Sequence, residues 1–281
     1  MPVSGYFVNA DGLKHHTINF IVDNPLAAVV FIHGYTEHSG RYAWVAEQFN
    51  QAGISFYAYD QRGYGLSEGE RAYVDSFQKY IEDFSQFLKN TDTASLPVFI
   101  MGQSMGGLIG VQFLMQNPDS GVKGMISTSG ALKVSEHISP FLRKISGVLS
   151  DCAPRLPTIK LEANALSRDQ NVVKEYLTDP LVYHGGAKSR TGHEMLSTMQ
   201  HVQQNLSSFR HPVLLLHGTA DRLADAEGSK MMYEKCASKD KSIRLFEGWY
   251  HELFREPQKD EIMLTIINWL MDRIDVNLKT D

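Results

Sequence analysis

An α/β fold, with a mostly parallel central sheet flanked by helices and a helical cap inserted late in the chain, is the architecture that this sequence predicts. Short apolar runs alternate with helical patterns from residue 27 to residue 129, the alternation lapses for about 75 residues, and two further apolar runs then complete the series. A chain of 281 residues that is 43% apolar can bury the core such a fold needs.

In order, the runs are HTINFIV (16–22), AAVVFIHG (27–34), ISFYAYD (54–60), PVFIMG (97–102), VKGMISTS (122–129), VLLLHG (213–218) and SIRLFEG (242–248). From the second to the fifth, helical patterns separate them, which predicts parallel strands joined by right-handed crossovers and a sheet buried on both faces. Between STSG and RHPVLLLHG the rhythm breaks, with prolines at 154, 157 and 180 and no strong strand candidate, and this excursion reads as an inserted helical lid. Within it, Ile138, Phe141, Leu142, Ile145, Val148 and Leu149 follow helical spacing and make one apolar stripe. Such a stripe either packs on the core or, with a lipid substrate, lines an acyl channel or rests on a membrane surface with Arg143 and Lys144 near the headgroups. In the last stretch, EPQKDEIMLTIINWLMDRI, Pro257 suits a first helical turn, while Ile262, Ile266, Trp269 and Ile274 mark a face that packs on the sheet.

Composition narrows the function. Both signs of charge are scattered along the chain, the net charge is −5, and no basic stripe offers itself to a nucleic acid. The opening MPVSGYFVNADGLKHH lacks a basic region followed by an apolar one, and AAVVFI is far too short to cross a bilayer, so a soluble protein is expected. Only Cys152 and Cys236 are present, without CxxC or Cys/His spacing, which fits a cytoplasmic protein and argues against structural zinc.

The stretch PVFIMGQSMGGLIGVQFL (97–114) carries the chemistry. A serine hydroxyl is a poor nucleophile unless a base takes its proton and donors receive the developing oxyanion. Gly102-Gln103-Ser104-Met105-Gly106 matches G-x-S-x-G, placing Ser104 on a sharp turn between a predicted strand and a predicted helix. The acid and base should then follow, in that order, in loops after later strands. VLLLHGTADRLAD offers Asp221, with Asp225 as a rival, and SIRLFEGWYHELF offers His251. For the oxyanion, Met105 supplies one backbone N–H at the positive end of its helix, and Tyr35, after the His33-Gly34 turn, supplies the second. His33 itself reads as a hydrogen-bonded structural residue. This machinery requires neither a metal nor an organic cofactor.

With these residues in place, the chain resembles the α/β-hydrolase superfamily and, within it, the monoacylglycerol lipase family. The likeness is carried by HGYTEHSGRY (33–42), YDQRGYGLSEGERAYVDSF (59–77), GQSMGG (102–107), HGTADRLADAEGSK (217–230) and GWYHELFRE (248–256). It implies a serine hydrolase that releases fatty acid and glycerol from a monoacylglycerol through a Ser104–His251–Asp221 triad and an acyl-enzyme. The alternatives on the same machinery are a lysophospholipase, a broad carboxylesterase or a serine aminopeptidase; a non-catalytic scaffold is the alternative outside catalysis. It further implies a core at 1–134 and 206–281, a cap at 135–205 over an acyl tunnel, and recognition of the glycerol headgroup by Glu37 and Arg41. The plain alternative for that pair is an i,i+4 ion pair bracing the following helix. Three positions depart from the family pattern: Gln103 replaces a histidine before the nucleophile, Tyr35-Thr36 replaces smaller residues, and Phe254 stands where some relatives carry a second histidine facing glycerol. Asp60 and Arg62, in the D-x-R-G-x-G-x-S loop, are expected to be structural.

Overall fold

In the central strands successive side chains point to opposite faces, and because both faces are apolar the chain builds two cores on one sheet. The computed structural model describes residues 2–93, 96–136 and 138–278. Its strands, numbered along the chain, are β1 (Val3–Val8), β2 (Lys14–Phe20), β3 (Ala27–Ile32), β4 (Ile54–Tyr59), β5 (Val98–Gln103), β6 (Gly124–Thr128), β7 (Pro157–Lys160), β8 (Gly186–Lys188), β9 (Val213–Gly218) and β10 (Lys241–Phe246). Eight of them form one sheet in the order β1-β2-β4-β3-β5-β6-β9-β10. The strands from β4 across to β10 are parallel, and β1 and β2 add an antiparallel edge.

Alternation along β3 decides which layer each residue serves. Ala28, Val30 and Ile32 join a core with α2 (Gln78–Asn90) and α3 (Met105–Gln116), whereas Ala27, Val29 and Phe31 join the opposite core with α1 (Ala43–Gln51) and the C-terminal helix. That last helix, α8 (Lys259–Leu278), buries Ile262, Ile266, Trp269 and Ile274 as its spacing predicts. β1 lies outside the apolar runs because Phe7 is its one buried residue, so its pattern carries little signal.

Between β6 and β9 the chain leaves the sheet to form α4 (Pro140–Cys152), β7, α5 (Gln170–Thr178), β8 and α6 (Ser189–Asn205). The lid is therefore not wholly helical: β7 and β8 pair as an antiparallel ribbon. These segments are four and three residues long and bury none of them, so they lack the alternation by which a strand is recognised. The apolar stripe divides on folding. Phe141 and Val148 are 68% and 66% exposed, while Ile138, Leu142 and Leu149 line a cavity.

Two buried polar clusters fix the loops after β3 and β4. Asp60 accepts from Ser39 N and Oγ through Oδ1, at 2.8 and 2.6 Å, and from Leu66 N through Oδ2 at 2.9 Å. Arg62 grips Asp83 with Nε and Nη2 at 2.6 and 2.7 Å, which bears out a structural role for Asp60 and Arg62. His33, at the end of β3, accepts Gln61 N–H on Nε2 at 2.9 Å and donates from Nδ1 to Gly34 O at 2.8 Å. Burial pushes its pKa down to about 4.

Folding therefore keeps His33 neutral to about pH 4, whereas in the unfolded chain it takes up a proton near pH 6.5. Between those values the unfolded state binds more protons, so stability falls as pH falls through that window. Its loss from His33 is expected to be on the order of 3 kcal/mol. Urea unfolding on either side of the window measures it, and His33→Gln should flatten the dependence.

Candidate active site

Parallel strands deliver their C-terminal ends to one edge of the sheet, and register brings four loops together there. Ile32 is opposite Gly102, Gln103 opposite Thr128, Thr128 opposite Leu216, and Gly218 opposite Phe246. The loops that follow β3, β5, β9 and β10 carry Tyr35, Ser104, Asp221 and His251.

Ser104 occupies the turn between β5 and α3 with φ 52° and ψ −115°, a region that a residue with a Cβ adopts only when its surroundings force it. Its N–H donates to Thr128 O at 3.0 Å, and its carbonyl accepts from Gly107, Leu108 and Ala131. The flanking glycines are required by close approach. A Cβ on Gly106 would lie 2.0 Å from Ile32 O, and one on Gly102 would lie 2.4 Å from Gly106 O. Gly34 is seated against the serine, where an added Cβ would meet Ser104 Cβ at 3.3 Å. The β3 loop thus passes beside the turn, with Tyr35 on the cavity wall and Met105 as the first residue of α3, its N–H lacking an intrahelical acceptor. The next residue, Thr36, is held at φ 71°, an outlier for a β-branched side chain.

Asp221 and His251 are joined directly. His251 Nδ1 donates to Asp221 Oδ2 at 2.6 Å, which leaves Nε2 as the basic nitrogen of the neutral ring. The second oxygen of Asp221 accepts from Leu223 N and Ala224 N at 2.8 and 3.1 Å. A further histidine, His217, donates from Nε2 to the same Oδ2 at 3.1 Å and accepts Ser229 Oγ–H on Nδ1 at 2.8 Å. The one signal of His217 in the sequence is its four-residue spacing to Asp221. Burial acts to raise the Asp221 pKa, but the two imidazoles overcome it and hold the carboxyl well below the usual range. For His251, burial acts downward and the Asp221 charge upward, and the pKa ends above the ordinary histidine value. Asp225, the rival acid, instead pairs with Lys133 at 2.6 Å and accepts Glu227 N–H at 2.9 Å. Gln103 bridges the turn to the His251 loop, donating to His251 O at 3.2 Å and accepting from Thr128 Oγ1 at 2.6 Å.

Ser104, His251 and Tyr35 share a cavity of about 320 Å³ whose remaining wall is largely apolar, including Ile138, Leu142, Leu149, Leu161, Leu196, Met199 and Leu223. Glu37 and Arg41 are not on that wall. Glu37 Oε1 accepts Gly34 N–H at 2.6 Å and Tyr42 O–H at 2.8 Å, and Arg41 pairs with Glu37 and Glu252. Phe254 is also turned inward, packing edge-on against Tyr42. Cys152 and Cys236 are both free thiols. Among the described residues no cluster of histidine, cysteine and carboxylate side chains is grouped as metal ligands are.

A strained serine turn at the edge of a mostly parallel sheet, sharing a cavity with the histidine of a hydrogen-bonded Asp–His pair, defines an α/β-hydrolase. The hydrolase family described as serine aminopeptidase, S33, matches residues 23–258. The chain is 33% identical to the monoacylglycerol lipase of Mycolicibacterium smegmatis over 89% of its own length and 90% of that protein, and 32% identical to rat monoglyceride lipase over 96% and 91%. The crystal structure of Paleococcus ferrophilus monoacylglycerol lipase superposes with a TM-score of 0.82 at 30% identity, covering 97% of this chain and 99% of that one. The chain belongs to the monoacylglycerol lipase family and is a carboxylic ester hydrolase of the lipid-ester kind.

Two glycine substitutions should have opposite signs. Gly106→Ala pushes a methyl group into the Ile32 carbonyl and is expected to destabilise by about 3 kcal/mol or more. Gly192→Ala, inside α6 with open space around the new methyl, should stabilise by about 0.5–1 kcal/mol. Denaturant midpoints at constant slope decide both.

Proposed function

We propose that this chain hydrolyses monoacylglycerols to fatty acid and glycerol, with Ser104 as nucleophile, His251 as base and Asp221 as the orienting acid. The observation that carries the reading is the 2.6 Å bond from His251 to a buried Asp221, in a cavity where Ser104 and His251 share the wall with apolar side chains. His251 Nε2 takes the Ser104 proton as Oγ attacks the ester carbonyl, and the N–H groups of Met105 and Tyr35 hold the oxyanion. The protonated imidazole, stabilised by Asp221, then passes its proton to the departing glycerol oxygen. Water, deprotonated by the same ring, attacks the acyl-enzyme, releases fatty acid and restores Ser104. The apolar wall suits an acyl chain, and each oxyanion donor is worth about 2.7–4 kcal/mol in such sites.

Membrane contact through the cap belongs to the same proposal. Phe141 and Val148 project from α4 beside the exposed Lys144, an arrangement suited to a lipid surface. Replacing both by aspartate is expected to weaken turnover of vesicle-borne substrate several-fold and to leave turnover of a water-soluble ester near the parent value.

Kinetics on monoacylglycerols of graded chain length, beside a lysophospholipid and an aminoacyl anilide, test the substrate. Monoacylglycerol is expected to dominate, and dominant anilide cleavage overturns the assignment. Ser104→Ala should lower kcat by about 10⁶-fold and block labelling by a fluorophosphonate. Asp221→Asn should lower it by about 10⁴-fold. Because the His251 pKa is raised, kcat/KM should fall on acidification with a midpoint above the ordinary histidine value of 6.5.

A further inference from the structure

We infer that Arg41 is a positioning residue for ester hydrolysis: it locks the loop that presents the Tyr35 N–H to the loop that presents His251, and its contacts are with those loops rather than with the substrate. The inference rests on the roles given to Tyr35 and His251 above. It replaces the headgroup contact that resemblance alone implies.

The Arg41 side chain is 5% exposed and lies in the short turn Ser39–Tyr42 that precedes α1. Nη2 donates to Glu252 Oε2 at 2.8 Å, and Nη1 faces Glu37 Oε2 at 3.5 Å. Each carboxylate is tied to one half of the site. Glu252 directly follows His251, and its N–H donates to Leu166 O at 2.7 Å. Glu37 accepts the N–H of Gly34, directly before Tyr35, at 2.6 Å. The same guanidinium stacks over the ring of Tyr176 on α5, 5.0 Å from its centroid. The hydroxyl of Tyr176 meets Thr36 Oγ1 at 2.7 Å, and Thr36 O accepts Tyr183 N–H at 2.8 Å. One cation therefore links the oxyanion loop, the base loop and the cap.

A fork is what this position requires. Glu37 and Glu252 are only 5% and 6% exposed, and burial raises the Glu37 pKa while the Arg41 charge opposes it, so a positive partner here favours the ionised form. A planar guanidinium addresses two carboxylates on different loops through a rigid fork while presenting its face to an aromatic ring, and an ammonium lacks that pre-organised fork. These contacts occupy the side chain, and neither Arg41 nor either glutamate forms part of the wall around Ser104 and His251. Small displacements of either loop should appear directly in the rate, since misplacement by about 1 Å can cost on the order of 10²-fold.

The test compares wild type, Arg41→Gln and Arg41→Lys on a monoacylglycerol and on the nitrophenyl ester of the same fatty acid, which has no glycerol. Positioning predicts that kcat falls by the same factor on both esters, on the order of 10²-fold for Arg41→Gln, while KM stays within about twofold. Fluorophosphonate labelling of Ser104 should slow in parallel. A rise in KM confined to the monoacylglycerol, with kcat retained, would identify a headgroup contact and overturn the inference, as would unchanged kinetics on both esters. Thermal midpoints check folding, and where Arg41→Gln does not fold, Arg41→Lys, which retains the charge, decides the matter. Wild-type protein that cleaves the nitrophenyl ester and not the monoacylglycerol removes the substrate proposed above, and kcat on the nitrophenyl ester then judges Arg41 alone.

Discussion

The backbone of α3 touches the end of β3 so closely that no side chain fits between them, and the geometry of the site follows from that contact. A Cβ on Gly106 would lie 2.0 Å from Ile32 O and 2.7 Å from His33 O. Helix and strand can approach to this distance only because residue 106 is glycine, and Ser104 is then driven to its positive φ. The same approach lays Gly34 against the serine and aligns the loop after β3 with the first turn of the helix. Rigid sheet geometry thus fixes Ser104 beside the loop after β3 and the first turn of α3.

Electrostatics completes what sterics begins. Asp221 is buried, and an unpaired carboxylate there would be costly, yet each of its oxygens has two donors: two backbone N–H groups on one, two imidazoles on the other. The charge is kept and the carboxylate cannot rotate. Close approach again supports the arrangement, since a Cβ on Gly218 would lie 2.3 Å from Trp249 O and 2.5 Å from Tyr250 O, and Ala220 N–H donates to Trp249 O at 3.0 Å. The Asp221 loop and the His251 loop are therefore packed together before their side chains meet.

Much of this was legible in the amino-acid order. β3, β4, β6 and β9 are buried throughout their lengths, so a continuous apolar run bounded by turn residues announces each of them. β1 and the β7–β8 ribbon were hidden for the opposite reason, since strands that bury one residue or none leave no period to read. The serine turn could be read locally, because its glycines and its serine lie within five residues. The surroundings of Arg41 could not: Glu37, four residues away, suggests a helix-face pair, whereas the shorter bond goes to Glu252, 211 residues away. His217 was concealed in the same way, as a strand-end histidine whose partner is revealed only by the turn that follows β9. Spacing reports neighbours along the chain, and side-chain direction in a loop is set by contacts that spacing does not encode.

The two walls of the cavity differ in what anchors them. α6 contributes Met195, Leu196 and Met199 to the lining, but it is also the crossover that returns the chain to β9, and Met199, Val202, Leu206 and Phe209 are set in the main core. α4 and the ribbon have no such duty. Widening the chamber must therefore come from the α4 side, as a door swings from a fixed jamb, and its size can drift through substitutions there while the crossover stays put.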